Sequence, residues 1–552
     1  MEAKKKQSNY LVQGTILAVA SIIARMIGMI YRIPLTNILG DEGNAYYATA
    51  NQIYSILLMI STFSLPLAVS KLVSERIHKG EMKNAQRVLG CSFRFAAVSG
   101  GAIALLTFLL AGVICGGIMK VGNATMALRV LSPAIFIFAI AGVFRGYFQG
   151  FENMVPTATS QVIEQIVNAV VSVVAANILF HIGLSASAGE SATALAAAGA
   201  TSGTVISVSV ALLFLLFIFA TTRKRTKRLI ARDTESRPES DQLIYRAIIV
   251  TVVPVIFSTL IYNISPTLDQ AIFNAILSGQ GYTSEQYNTI YGIYTGKFYV
   301  LMNVPLALAS CLAPSVVPAL TAAVVEGDFS DAKRKVRTTM RYTMIITIPC
   351  AVGMAALASP IMYLLFHDRH RLPAGIMQAG ALMIVLFAIS TLSTAILQGL
   401  GRMNEPLRNS AISLVIHVIA LLILLKQFRL NIYAVVYANT LFAFIICILN
   451  GMAIRRYLHY RQEIRRTFLI PLISSAVMGL AVIAVYQVVN RLMCILFIDY
   501  ASNLVAALLA VLVGIAVYVF LLVRLKGLRE REIAELPKGE LLLGLLQKIH
   551  FI

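Results

Sequence analysis

Four bases and two acids stand inside or beside apolar runs of this 552-residue chain, and they carry its clearest chemistry. Two of the bases, Arg25 and Arg32, belong to "SIIARMIGMIYRIP", residues 21–34. An arginine at the centre of a membrane span costs about 2.5–3.5 kcal/mol on insertion scales. Positions seven apart lie nearly over one another on a helix. Gly14, Ala18, Ser21, Arg25, Gly28 and Arg32 therefore form one stripe of small and basic residues, with Ile, Leu, Val and Met around it. A stripe of this kind faces protein or water rather than lipid. Guanidinium forks suit phosphate oxygens, and Gly28 leaves room between them for a bulky group. Two other readings stay open: Arg32 snorkels to the outer interface, or Arg25 holds a structural ion pair.

The third base, Lys297, lies about eleven residues into "YGIYTGKFYVLMNVP", near mid-depth by count, among Tyr291, Tyr294 and Tyr299. A buried lysine needs an anionic partner or a shifted pKa, so substrate contact and a structural pair are equal readings. Arg94 is an interfacial anchor. Of the acids, Glu164 borders a polar helical stripe of Gln161, Gln165, Asn168 and Ser172, which reads as a cavity wall or a hydrogen-bonded bundle interface. Asp269 follows Pro266 in "ISPTLDQAIFN". Either acid suits a coupling cation, a proton or a buried base. His417 stands alone in an apolar run, and "FHDRHR" reads as an outer loop with no ligand cluster for a metal. The six cysteines form no CxxC pair. P-loop, GxSxG, HExxH and kinase signatures are missing, which argues against an enzyme and against a bound cofactor other than a coupling cation.

The elements that hold these residues are apolar. Of the chain, 58% is hydrophobic and 13% charged, half the charge usual in a soluble protein. Apolar runs of span length recur at 11–33, 47–70, 90–116, 127–148, 157–180, 194–220, 243–277, 286–321, 338–365, 375–398, 407–425, 431–454, 467–489 and 500–523. The expected fold class is an all-α polytopic membrane protein with about fourteen transmembrane helices. The basic start leads into a retained first helix rather than a removed signal peptide.

With the N-terminus placed in the cytoplasm, 35 of the 46 Lys and Arg residues fall on the inner side and seven on the outer side. That bias sets fourteen spans with both ends cytoplasmic. The +21 net charge is therefore explained by topology and anionic lipid, not by nucleic acid.

The halves repeat weakly. "HKGEMKNAQRV" (78–88) matches "VEGDFSDAKRKV" (325–336), which aligns Gly80 with Gly327. "YFQGFENMVP" (147–156) echoes "ILQGLGRMNEP" (396–406), and "IYRIP" (30–34) echoes "IYNISP" (261–266). Six spans precede the basic linker and six follow. The expected domains are a six-helix lobe at 1–220, a cytoplasmic linker at 221–242, a second lobe at 243–454, two extra spans at 455–525 and a cytoplasmic tail at 526–552. Parallel repeats of this kind rock around a central site in secondary transporters.

The stretches "LVQGTILAVASIIARMIGMIYRIPL", "SLPLAVSKLVSE", "FRGYFQGFENMVPTATSQVIEQIVN", "GKFYVLMNVPLALASCLAPSVVPALT" and "ILQGLGRMNEP" resemble the MOP exporter superfamily along almost the whole chain. They look closest to its polysaccharide-biosynthesis branch, which holds SpoVB-like proteins and MurJ-type lipid II flippases. The resemblance implies two lobes in a V around a cationic cavity, a lipid groove made by the two added helices, and export of a polyprenyl-pyrophosphate-linked glycan by alternating access. Arg25 matches a cavity arginine of the first helix. Arg32 departs from the pattern: Tyr31 holds the nearer position, and the acid expected beside it is absent. Span two lacks the arginine of Gram-negative members, and Lys297 aligns only loosely with a span-eight base.

The resulting expectation is a bacterial plasma-membrane flippase, with lipid II as cargo and with Arg25, Arg32 and Lys297 on the diphosphate. Glu164 and Asp269 would serve ion coupling, and Ser21 and Gly28 would line the cavity. The expected partners are the lipid-linked substrate, membrane lipids and cell-wall synthesis proteins, around a monomer. The alternatives are a flippase for another lipid-linked glycan, a MATE-type drug exporter and a non-transporting scaffold. Intraspan bases outnumber acids, which favours anionic cargo.

Overall fold

The computed structural model describes residues 16–527 apart from 18, 61–64, 186–188, 235, 311–312 and 496–498. Gly14, Ala18 and Cys311 lie outside the described residues. Among those described, regular structure is helical throughout. Among the described residues, nine helices are long and apolar enough to cross a membrane, or up to eleven if two bent pairs each count as one span. The apolar runs at 243–277 and 286–321 are each divided among successive helices, Asp241–Asn263 and Ser265–Gly279 in the first, and Ser284–Ile293, Tyr294–Phe298, Tyr299–Ser310 and Ala313–Val325 in the second.

The chain divides into two compact units, Met1–Gly296 and Lys297–Ile552. This boundary falls inside span eight, in the π-helical turn Tyr294–Phe298, rather than at the basic linker.

The first unit begins with α1 (Val19–Ile30) and α2 (Arg32–Leu58), which are bent by 42° to one another. Pro34 explains the bend. It has no N–H for the carbonyl one turn back, so the ladder breaks at Ile30–Tyr31. A second break comes at Gly40, whose φ of 66° is left-handed. The sequence reading ended span one at 33; the helical path continues to Leu39. Next come α3 (Leu65–His78), α4 (Met82–Gly112), α5 (Thr125–Gly150), α6 (Val155–Ser185), α7 (Gly189–Arg232), α8 (Asp241–Asn263), α9 (Ser265–Gly279) and α10 (Ser284–Ile293).

Close helix contacts hold this unit together. Along α6–α7, a Cβ on Gly203 would come within 2.1 Å of the Ser172 hydroxyl. Small residues at such seams let backbones approach where lipid offers no hydrophobic drive. The α9–α10 hairpin is fixed to α2 in the same way. A Cβ on Gly292 would overlap the Asp41 carbonyl at 1.7 Å, and the Thr36 hydroxyl donates to the Gly296 carbonyl at 3.0 Å. Gln270 Nε2 donates to Thr49 Oγ1 at 2.6 Å.

The second unit holds α11 (Tyr299–Ser310), α12 (Ala313–Val325), α13 (Phe329–Ala356), α14 (Ala358–Phe366), α15 (Arg371–Gly399), α16 (Asn404–Lys426), α17 (Ile432–Leu458), α18 (Ile470–Met493) and α19 (Asp499–Arg524). A polar knot ties its core, with Asn450 donating to Ser393 at 3.0 Å and Asn409 donating to Asn450 at 2.9 Å. The repeat is visible in packing. Gly150 ends α5 against Val73 and the Ser70 carbonyl of α3, and Gly399 ends α15 against Leu320 and the Val317 carbonyl of α12.

Candidate substrate-binding site

The two polar stripes read from the sequence lie against each other in the first unit. Ser21 Oγ donates to Gln161 Oε1 at 3.4 Å. One turn and more along, a Cβ on Gly28 would sit 3.3 Å from Gln165 Oε1. Asn168 Nδ2 donates to the Tyr31 hydroxyl at 3.1 Å. Residue numbers rise together on both sides, so α1 and α6 run parallel here. Arg25 is exposed and lies on the same face as Ser21 and Gly28. Arg32 is half-buried, its guanidinium 4.8 Å from the centre of the Tyr47 ring. Such a contact holds a cation over an aromatic face for roughly 0.5–2 kcal/mol.

Glu164 is engaged. Arg145 Nη2 donates to its carboxylate at 2.7 Å, and Arg145 Nε reaches Ser160 Oγ at 3.1 Å. The sequence reading had Arg145 within the apolar run 127–148 but counted its charge with the inner-side residues that follow. The structure corrects this: α5 continues to Gly150, and Arg145 is 5% exposed within it. The available signal was the pairing of one base with one acid on adjacent apolar helices.

Asp269 is 2% exposed in α9, beside Gln270 and its bond to Thr49.

Lys297 belongs to the second unit and pairs with Asp368, Nζ to Oδ2 at 2.5 Å, both residues being buried. Asp368 sits in the loop after α14, which the sequence reading left without a role. Burial would raise its carboxyl pKa, but the Lys297 ammonium and the His370 main-chain N–H outweigh that and hold it below the ordinary value. Of the two readings open for Lys297, this conformation displays the ion pair. Arg94 is likewise paired, 2.8 Å from Asp241.

A bundle of apolar helices, internally repeated and carrying arginines on a polar helix face, defines a polytopic membrane protein. Its fold is similar to that of an inward-facing multidrug resistance MATE family transporter (TM-score 0.64, 17% identity, covering 80% of this chain and 98% of that one). It is equally similar to the lipid II flippase MurJ in an inward closed conformation (TM-score 0.64, 14% identity, 92% and 98%). In sequence, the chain is 28% identical to the lipid II flippase MurJ of Bacillus subtilis (strain 168) over 535 residues, 92% of this chain and 94% of that one. Residues 11–324 match the model of the polysaccharide biosynthesis protein family, and the chain belongs to that family.

Proposed function

We propose that this protein is a flippase that exports a polyprenyl-pyrophosphate-linked glycan precursor, with lipid II the cargo best supported. The observation that carries the reading is the meeting of the Ser21–Arg25–Gly28–Arg32 stripe with the Gln161–Gln165–Asn168 face of α6. A diphosphate needs cations in a wet, polar surround, while its lipid tail stays in the bilayer. Arg25 is the principal headgroup contact and Arg32 the second. Lys297 joins them only if its bond to Asp368 opens during the cycle. Asp269 and Glu164 are the candidates for ion coupling, Glu164 through its pair with Arg145. The likeness to the B. subtilis MurJ over nearly the full length supports this cargo class.

The reading includes alternating access around a cationic cavity formed by six-helix lobes at 1–220 and 243–454. It includes a bacterial plasma-membrane location with both termini cytoplasmic, a monomer, and transport rather than catalysis. The fold alone favours drug export equally, given the MATE neighbour. Intraspan arginines favour anionic cargo instead, because cationic drugs call for an acid-rich cavity.

The test is to deplete a host of its own lipid II flippase and express this protein. Restored growth with outward exposure of lipid II supports the cargo. Failure at good expression moves the cargo to another polyprenyl-linked glycan. Drug efflux without glycan export overturns the reading.

A further inference from the structure

We propose that Glu164 is a placeholder for the anionic headgroup of the cargo: it holds Arg145 while the site is empty, and the entering diphosphate takes over Arg145 as Glu164 takes up a proton. The exchange rests on the flippase function proposed above and deepens it, adding a further cargo-binding arginine and naming the proton as the coupling ion. Position carries the first step. Glu164 lies three residues after Gln161 and four before Asn168, so it shares their helix face. Ser21 donates to Gln161, and Gly28 comes against Gln165. Arg25, between them on α1, therefore stands at the level of Glu164 on α6. From the other side Arg145 reaches over from α5, its Nη2 at 2.7 Å from the carboxylate. One acid stands between two arginines.

The buried guanidinium is half engaged. Its Nε donates to Ser160 Oγ at 3.1 Å, and its Nη1 makes no hydrogen bond among the described residues. The Glu164 side chain is 14% exposed, which leaves the carboxylate open to a proton. Facing it are Arg145 from α5, Arg25 from α1 and, from α2, Tyr54, which feels its charge. Along α7, residues 191–222 carry no charge. A lipid-linked diphosphate diester bears two negative charges. With Glu164 ionised, Arg25, Arg145 and Glu164 sum to one positive charge; with Glu164 neutral they sum to two, which balances the diphosphate. A carboxylate and a diphosphate side by side repel, so cargo and proton enter together. Arg145 stays charged throughout and offers the same fork of donors to either anion. The proton forms an O–H bond on Glu164, and no covalent bond of the cargo changes.

The experiment uses the full chain in detergent, with lipid II as the probe. Calorimetric titrations in buffers of different ionisation enthalpy count the protons taken up on binding. The wild type should take up about one proton per lipid. Because the bound form holds the extra proton, affinity should fall about tenfold for each unit of rising pH between about pH 6 and pH 8. Glu164→Gln, which imitates the protonated carboxyl, should bind without uptake and without pH dependence. Arg145→Met combined with Glu164→Met should also take up no proton and should bind about tenfold more weakly than Glu164→Gln, as loss of hydrogen bonds to a charged group predicts. Binding by the wild type without proton uptake overturns the exchange and leaves the cargo reading standing. Uptake that persists in both variants places the proton on another group, such as Asp269, and overturns it too. So does a wild-type affinity that follows sodium rather than pH. Failure of the wild type to bind lipid II or undecaprenyl diphosphate at any pH overturns the flippase reading itself, and the exchange with it.

Discussion

Gly80 and Gly327 make the same turn in the two halves, with φ of 80° and 76°. In each, the next N–H closes on a carbonyl five residues back, Glu81 on Arg76 at 2.8 Å and Asp328 on Ala323 at 2.9 Å. The left-handed conformation suits glycine, which explains why this residue survives in both copies of a repeat that has otherwise diverged. Asp328 then caps α13 by accepting from the Asp331 N–H.

The site reading makes Arg25 the residue whose loss stops transport. In Arg25→Ala, outward exposure of the lipid-linked glycan should fall to background while membrane abundance stays near wild type. Lipid accessibility in cells, with quantitative blotting, checks both. Normal transport by this variant removes Arg25 from the site.

Arg145 and Glu164 should behave as one unit. Arg145→Met or Glu164→Gln alone leaves a buried charge uncompensated and should cost about 3–5 kcal/mol. Arg145→Met combined with Glu164→Met should recover most of it. Melting of the purified proteins in detergent distinguishes the two cases, and equal losses in single and double variants would show that the pair is not coupled.

Close packing predicts a contrast between glycines. Gly292→Ala puts a Cβ against the Asp41 carbonyl and should lower the melting temperature by several degrees, in keeping with an overpacking cost of about 1–3 kcal/mol. Gly90→Ala meets nothing within 4 Å and should be neutral or slightly stabilising.

Asp241 gives a pH dependence. Hydrogen bonds from Arg87 and Arg94 hold its carboxyl below the ordinary aspartate value. A depressed folded-state value contributes stability above the unfolded pKa, near pH 4, and loses it as acid protonates the folded carboxylate. Wild type should therefore lose more melting temperature than Asp241→Asn when the pH falls from 6 to 3. Parallel curves would show that the clamp does not contribute.

The class of fold was legible because a bilayer demands long apolar helices, and those dominate the chain whatever the side-chain detail. The α1–α6 face was legible for a related reason: Ser21, Gly28, Gln161 and Gln165 are polar or small exactly where their neighbours are not, at helical spacing. What escaped was pairing at a distance. Nothing local to "FHDRHR" connects Asp368 with Lys297, seventy-one positions away, and nothing in a hydropathy window distinguishes a buried Arg145 from a loop arginine. Helix breaks were half-legible. Pro34 announced the bend at Tyr31, whereas Gly40 is one glycine among many.

The Arg145–Glu164 pair also bears on how the chain is made. Synthesis releases α5 before α6, so for a time the arginine is extended toward the bilayer without its counter-charge. A lone arginine resists insertion by about 2.5–3.5 kcal/mol at mid-span. The connection between the two helices is only residues 151–154. The translocation machinery therefore receives them almost together, and α5 can wait at its lateral gate to enter the lipid with α6 as a neutral hairpin.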